Sequence, residues 1–255
     1  ELSNAQFDRA ELETMTLLNK PLAMQDLSIP RGLEDPENNL RKGTANEVLQ
    51  AHLAGATDGK ILNCLDVQLP RSGAPHRSLS SDTHAYAVTE GLWTADREHA
   101  YPINNMDWGL ICSNDAYHYW HVDVNGLATR VLIRCGVKFW FFARPKPGED
   151  FASTDFFRNT PVYQTGDEKW DVEMVVLKAG DEIYMRPNTP HAVISPKSSI
   201  CRGGYLICYT TIRETSYGLF HCAIQSGVIT NVAEFNDTLF LVRRLVMYWA
   251  HAIPG

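Results

Sequence analysis

Four side chains in this sequence have the types and spacing to do chemistry together: His121, Asp123, Lys138 and His191. His121 and Asp123 fall two residues apart in AYHYWHVDVNGL. That is the repeat that puts side chains on one face of an extended strand. An imidazole and a carboxylate projecting side by side supply two corners of a metal octahedron. On its own, such a pair is equally an ordinary surface or core pair. The downstream stretch LKAGDEIYMRPNTPHAVISP adds a third donor, because Pro187 and Pro190 pin a loop that presents His191. Two imidazoles and one carboxylate on one face of an ion, with the opposite face open, form the donor set of ferrous oxygenases. His121, Asp123 and His191 are therefore the candidate catalytic and metal-ligating residues, with Fe(II) as the expected ion.

Lys138 lies in RCGVKFWFFARP, between two apolar runs. A lysine there either sits at an edge and reaches water or is buried opposite an anion. Beside an open metal site, the second case points to the far carboxylate of a dicarboxylate such as 2-oxoglutarate, with dioxygen as the other reactant.

These residues need a rigid support, and the surrounding pattern supplies one. From Ile61 onward come short segments rich in β-branched and aromatic residues: ILNCLDVQL, DWGLICS, TRVLIRC, KFWFFARP, WDVEMVVLKAG, DEIYMRP, HAVISP and GGYLICYTT. Turn signals separate them at Asn125-Gly126, Pro145 to Gly148, Ala179-Gly180, Pro187-Asn188 and Gly203-Gly204. Many short strands with this punctuation predict a mainly β sandwich or barrel of jelly-roll type, with flanking N- and C-terminal helices. A helix is expected over Asn4 to Leu18. A loop follows through IPRGLEDPENNLRKGTA, and ANEVLQAHLAG forms a short helix closed by Gly55. In VAEFNDTLFLVRRLVMYWAHA, Phe235, Leu239, Val242, Leu245, Val246 and Trp249 predict an amphipathic helix with Arg243 and Arg244 on its polar side. That helix either packs on the domain or serves a partner. The expected division is residues 1–59, an N-terminal helical and loop segment; 60–220, the strand-rich unit; and 221–255, a C-terminal helical segment.

Composition narrows the class. The chain has 255 residues, 44% of them hydrophobic, and a net charge of −7. No basic block offers a broad nucleic-acid face. No apolar run is long enough for a membrane span, and the polar, acidic first residues lack the character of a signal peptide. The six cysteines form no CxxC pair and mostly sit in apolar runs. They read as reduced buried thiols in an intracellular protein, nuclear or cytoplasmic.

The segment YHYWHVDVNGLATRVLIRCGVKFWFFARP resembles the Jumonji C (JmjC) domain, most of all the lysine demethylases linked to F-box or plant-homeodomain modules. Tyr117, His121, Asp123, Gly126, Gly136, Lys138 and Pro145 match without a gap. GDEIYMRPNTPHAVISPKSSICRGGYL is similar to that branch's second segment at Gly180, His191, Ala192, Val193, Pro196, Gly203 and Gly204. The resemblance spans roughly Lys60 to Thr211. It implies a cupin-like double-stranded β-helix over residues 60–220, with iron on His121, Asp123 and His191, and the co-substrate's distal carboxylate on Lys138. It also places Asn63 near the co-substrate, and puts His118 where the family has a threonine that helps hold it. Val131 replaces a tyrosine, Tyr205 an asparagine, and DVNGLA the loop DFGGTS. The activity implied is hydroxylation of an N-methyl group on a histone tail or another protein. The alternatives are a stable hydroxylation of another side chain or small molecule, and a non-catalytic scaffold.

Overall fold

The computed structural model describes residues 5–29, 39–55, 59–69, 81, 106–149, 169–230 and 237–252. Its strands are β1 (Leu22–Asp26), β2 (Leu40–Gly43), β3 (Leu62–Gln68), β4 (Asp107–Cys112), β5 (Ala116–His121) and β6 (Ala128–Cys135). They continue with β7 (Val137–Pro145), β8 (Trp170–Lys178), β9 (Glu182–Met185), β10 (His191–Ser195) and β11 (Ser199–Leu206). The helices are α1 (Arg9–Glu13), α2 (Ala45–Ala54), α3 (Ile212–Ile229) and α4 (Asp237–Ala252).

The strands form a seven-stranded sheet, β2-β1-β3-β4-β11-β6-β9, and a four-stranded sheet, β5-β10-β7-β8. The last eight strands pair from the outside in: β4 with β11, β5 with β10, β6 with β9, and β7 with β8, all antiparallel. This is one long hairpin with its tip at β7 and β8, coiled so that its strand pairs are shared between two facing sheets. A hairpin coiled in this way is a double-stranded β-helix, the jelly-roll fold of cupin type. Alternation then fixes the interior. Val131 and Ile133 of β6, Trp140 of β7, Met185 of β9, Val193 of β10 and Cys201 of β11 meet between the sheets in one buried cluster.

The N-terminal residues do more than cap this core. Strands β1 and β2 extend the larger sheet, and β2 lies within the stretch expected to be loop. Helix α1 is shorter than the Asn4 to Leu18 span, whose first residue lies outside the described residues. The Thr14 hydroxyl donates to the Glu11 carbonyl (2.7 Å), competing with the next helical amide. Helix α2 matches its expected span, with Thr44 capping the Glu47 amide and Gly55 at φ 61° closing it. Leu12, Met15, Met24, Val48 and Leu62 form a second core with Ile111 and Ile200 of the sheet.

Two expectations are corrected. Gly203-Gly204 is not a turn but the middle of β11. A Cβ at Gly203 would collide with the six-membered ring of Trp108, so the glycine lets the indole lie flat on the strand. On α4 the inward face is carried by Leu241, Leu245 and the aliphatic stem of Arg244, which is buried, whereas Leu239 (58% exposed) and Val246 (55%) face outward. The apolar stripe is narrower than the sequence pattern, because both arginines interrupt it and one of them turns in. Phe235 lies outside the described residues.

Helix α3 runs through position 220 and was not visible in the pattern, since Gly218 and β-branched residues weaken its helical signature. Its packing explains the glycine. Gly218 touches Gly126, whose φ is +61° and whose added Cβ would stand 2.5 Å from the Thr215 carbonyl oxygen. Gly126→Ala is expected to cost about 2 kcal/mol or more through backbone strain and overpacking. The check is the midpoint of urea unfolding.

Candidate metal centre and its cavity

The site grows from the central strand of the smaller sheet. His191 is the first residue of β10 and lies directly across from His121, the last residue of β5. Asp123 follows on extended backbone (φ −66°, ψ 148°), immediately before a 3-10 turn over Val124–Gly126. The side chains of His121 and Asp123 thus share a face, as the two-residue spacing requires. The ligand atoms of His121, Asp123 and His191 all lie within 4.8 Å of one another.

Each of the three is held from behind. The Nδ1–H of His121 donates to the Tyr119 carbonyl (2.8 Å) and that of His191 to the Thr189 carbonyl (2.9 Å). Both rings therefore present the bare Nε2 to a common point. The Thr129 hydroxyl donates to Asp123 Oδ2. The loop before His191 is fastened by Thr189 to the Arg186 carbonyl (2.7 Å) and by Asn188 to the Glu214 carbonyl of α3 (2.6 Å). Burial, reinforced by His191, pushes the His121 pKa down to about 3, against the pull of Asp123. Burial pushes His191 down to about 4 and raises Asp123. Neutral imidazoles are the form that binds metal. With one fastening removed, Thr129→Val is expected to weaken Mn(II) or Fe(II) binding about tenfold while leaving the fold unchanged. Metal titration beside a thermal melt checks it.

Lys138 is 3% exposed and lines the same cavity. Its Nζ donates to Ser195 Oγ (2.8 Å) and approaches Cys112 Sγ (3.5 Å). Burial opposes its charge, but the neighbouring thiols, Cys112 first, hold its pKa above the usual lysine value. Burial likewise opposes ionisation of Cys112, and the Lys138 ammonium with the Ser195 and Ser199 hydroxyls turns the balance to a lowered pKa. Among the described residues no carboxylate forms an ion pair with Lys138.

Asn63 and His118 also line the cavity, so all six residues singled out in the sequence border one space. Asn63 is buried, its amide donating to Gln25 Oε1 of β1 (3.4 Å). His118 arrives by an irregularity. Strict alternation would send positions 118 and 121 to opposite faces. The register between β5 and β10 slips, Val193 facing His118 while His191 faces His121, so β5 carries one extra residue. The bulge turns His118 inward until its ring stacks on that of His121 with centroids 4.2 Å apart. The cavity is open at its mouth, and the non-atom space within it, open solvent included, is about 570 Å³. Val131 is in the core and offers no donor, while Tyr205 lines the cavity.

Ser195, Cys112, Thr129 and Trp108 belong to the site and were not read from the sequence. Ser195 had a signal, being four residues from His191 on the same face of β10. The other three come from strands whose partners only the sheet order reveals.

No family model matches this sequence, and no curated protein matches it. Among solved structures, it is similar to Drosophila melanogaster CENP-C bound to CAL1. That match has 13% identity and a TM-score of 0.28, and covers 44% of this chain and 65% of that one. It is also similar to the Drosophila melanogaster CENP-C cupin domain, with 13% identity and a TM-score of 0.27 over 40% of this chain and 57% of that one. The matched region spans less than two thirds of either. The cupin-type fold rests on the strand pairing described above. All six cysteines are free thiols, five of them buried, and no described helix is long and apolar enough to cross a membrane.

Proposed function

We propose that the chain is a ferrous, 2-oxoglutarate-dependent oxygenase of the Jumonji C type, with residues 60–220 as the oxygenase unit, working in the nucleus or cytoplasm. The observation that carries this reading is one cavity bordered by both a buried His-Asp-His group and a buried lysine that has no carboxylate partner among the described residues. The donor set fits the ion: two nitrogen ligands with fixed tautomers and one oriented carboxylate suit an octahedral N/O site for iron. Iron there would supply activation of dioxygen coupled to decarboxylation of 2-oxoglutarate to succinate. This chain's residues do the rest. His121, Asp123 and His191 hold the ion, Lys138 and Ser195 anchor the distal carboxylate, and Asn63 and His118 border the co-substrate. Trp108, Leu110, Trp140 and Val193 limit water in the cavity.

The substrate that fits best is an N-methylated lysine on a cationic tail, such as a histone tail. The net charge of −7 favours a basic partner. Hydroxylation of an N-methyl carbon releases formaldehyde, whereas hydroxylation of another carbon leaves a stable alcohol. Incubation with Fe(II), 2-oxoglutarate and oxygen is expected to yield succinate, increased by a methylated histone peptide and accompanied by formaldehyde. Absence of succinate above background after anaerobic metal loading sinks the enzymatic reading.

The second reading is a metal-binding jelly roll that serves as a scaffold. What favours it is the altered polar shell at His118, Val131 and Tyr205. Metal binding without 2-oxoglutarate binding is its expected signature.

A further inference from the structure

We infer that Gly218 of α3 is a positioning residue for the metal centre: the helix meets the loop after Asp123 and the loop before His191 at this glycine, and the contact sets how those two ligands stand to one another. The inference rests on the metal-centre reading above and deepens it. A glycine inside a helix is unfavourable in itself, since only proline is a poorer helix former. Gly218 lies within α3, and a Cβ there would collide with Gly126 Cα and with Asn188 Oδ1. Those two atoms belong to different loops. Gly126 ends the 3-10 turn that Asp123 precedes as N-cap. Asn188 lies just before His191, the first residue of β10. A methyl group at position 218 therefore pushes on both ligand-bearing loops at once.

Further contacts tie the same helix to each loop. On the His191 side, the Asn188 amide donates to the Glu214 carbonyl (2.6 Å), and Arg186 pairs with the Glu214 carboxylate (2.5 Å). On the Asp123 side, Gly126 is held against the Thr215 carbonyl. At the far end of the helix, the amide of Val122, which stands between His121 and Asp123, donates to the Ile229 carbonyl (2.8 Å). The three ligands come from two stretches of chain, so their spacing depends on whatever spans both. Pairing of β5 with β10 joins His121 to His191. Asp123 lies past the end of β5, beyond the reach of that ladder. Its carboxylate is placed by the Thr129 hydroxyl and its backbone by the packing of the turn on α3. Site geometry has to hold to within about 0.5 Å to function, and a methyl group forced into the junction at Gly218 displaces the loops by more than that.

The test uses the full chain, with Mn(II) titrated calorimetrically and the visible absorption of bound Co(II) recorded as a report on ligand geometry. Both are measured well below each variant's melting temperature. Gly218→Ala is expected to weaken Mn(II) binding about tenfold or more and to change the Co(II) spectrum. Leu12→Ala, in the second core, is expected to lower the melting temperature and leave both metal readouts unchanged, which separates positioning from general destabilisation. Asn188→Gly suits the φ of 60° at that position and deletes the bond to α3. It is expected to move both metal readouts in the same direction, and it decides the matter where Gly218→Ala does not fold. Unchanged Mn(II) affinity and Co(II) spectrum in the deciding variant overturns the inference and leaves the metal centre standing. An equal loss of Mn(II) affinity in Leu12→Ala overturns it too. No metal binding by the unaltered chain removes the metal-centre reading and the inference with it.

Discussion

Asp123→Ala is expected to reduce affinity for Fe(II) or Mn(II) by about a hundredfold or more, leaving no metal after gel filtration. The carboxylate is the one anionic member of a group whose other two members are neutral imidazoles held by backbone carbonyls. Removing it deletes a ligand and the negative charge that offsets the ion. The protein itself is not expected to lose stability. Burial raises the Asp123 pKa, so the carboxylate is a strained element of the metal-free fold. Its replacement leaves only the Thr129 hydroxyl to find another partner. His121→Ala is expected to behave alike in metal binding, with a larger loss of packing, because its ring contacts those of His118 and His191. Metal content after dialysis, read beside a thermal melt, separates the two effects. Full occupancy in Asp123→Ala would remove the triad from consideration.

The triad was legible in the sequence because it depends on local rules. The pair His121 and Asp123 needed only the two-residue strand repeat, and His191 needed only a proline-bounded loop before a strand. Most strands from β3 onward were legible from β-branched and aromatic runs, while β1, β2 and helix α3 were not. Three features at the site were not legible either. The bulge in β5 that turns His118 inward is a property of register with β10, and nothing in AYHYWH announces an extra residue. The glycines at 203 and 204 read as a turn because composition does not say whether a glycine serves a bend or a close approach, and the decision came from Trp108, nearly a hundred residues away. Cys112 became visible as a partner of Lys138 only when the coiled hairpin set β4 of one sheet across from β7 of the other, while Thr129, six residues on from Asp123, reaches it from the start of β6. Local periodicity names the ligands, and the long-range pairing names what orients them.

Lys138→Met is expected to separate function from folding by moving them in opposite directions. In the free protein, the ammonium is buried with a hydroxyl and a thiol for company and no carboxylate among the described residues. Replacing such a charge by an apolar chain of similar length is neutral or stabilising, so the melting temperature of the variant is expected to hold or rise. Affinity for 2-oxoglutarate is expected to fall by the amount that follows from truncating one partner of a buried charge pair, about 2–5 kcal/mol. Metal binding stays as it was, since Lys138 touches none of the three ligands. Lys138→Arg keeps the charge but brings a planar, bulkier head into a niche shaped by Ser195 and Cys112, and it is expected to restore little. A lysine kept only for the fold would show the reverse: a lower melting temperature and unchanged dicarboxylate affinity. The comparison needs calorimetry with Mn(II) present and a thermal melt of the same samples. Burial opposes the ammonium, Cys112 offsets that opposition in the empty protein, and the anion that the cation awaits would add the full opposite charge.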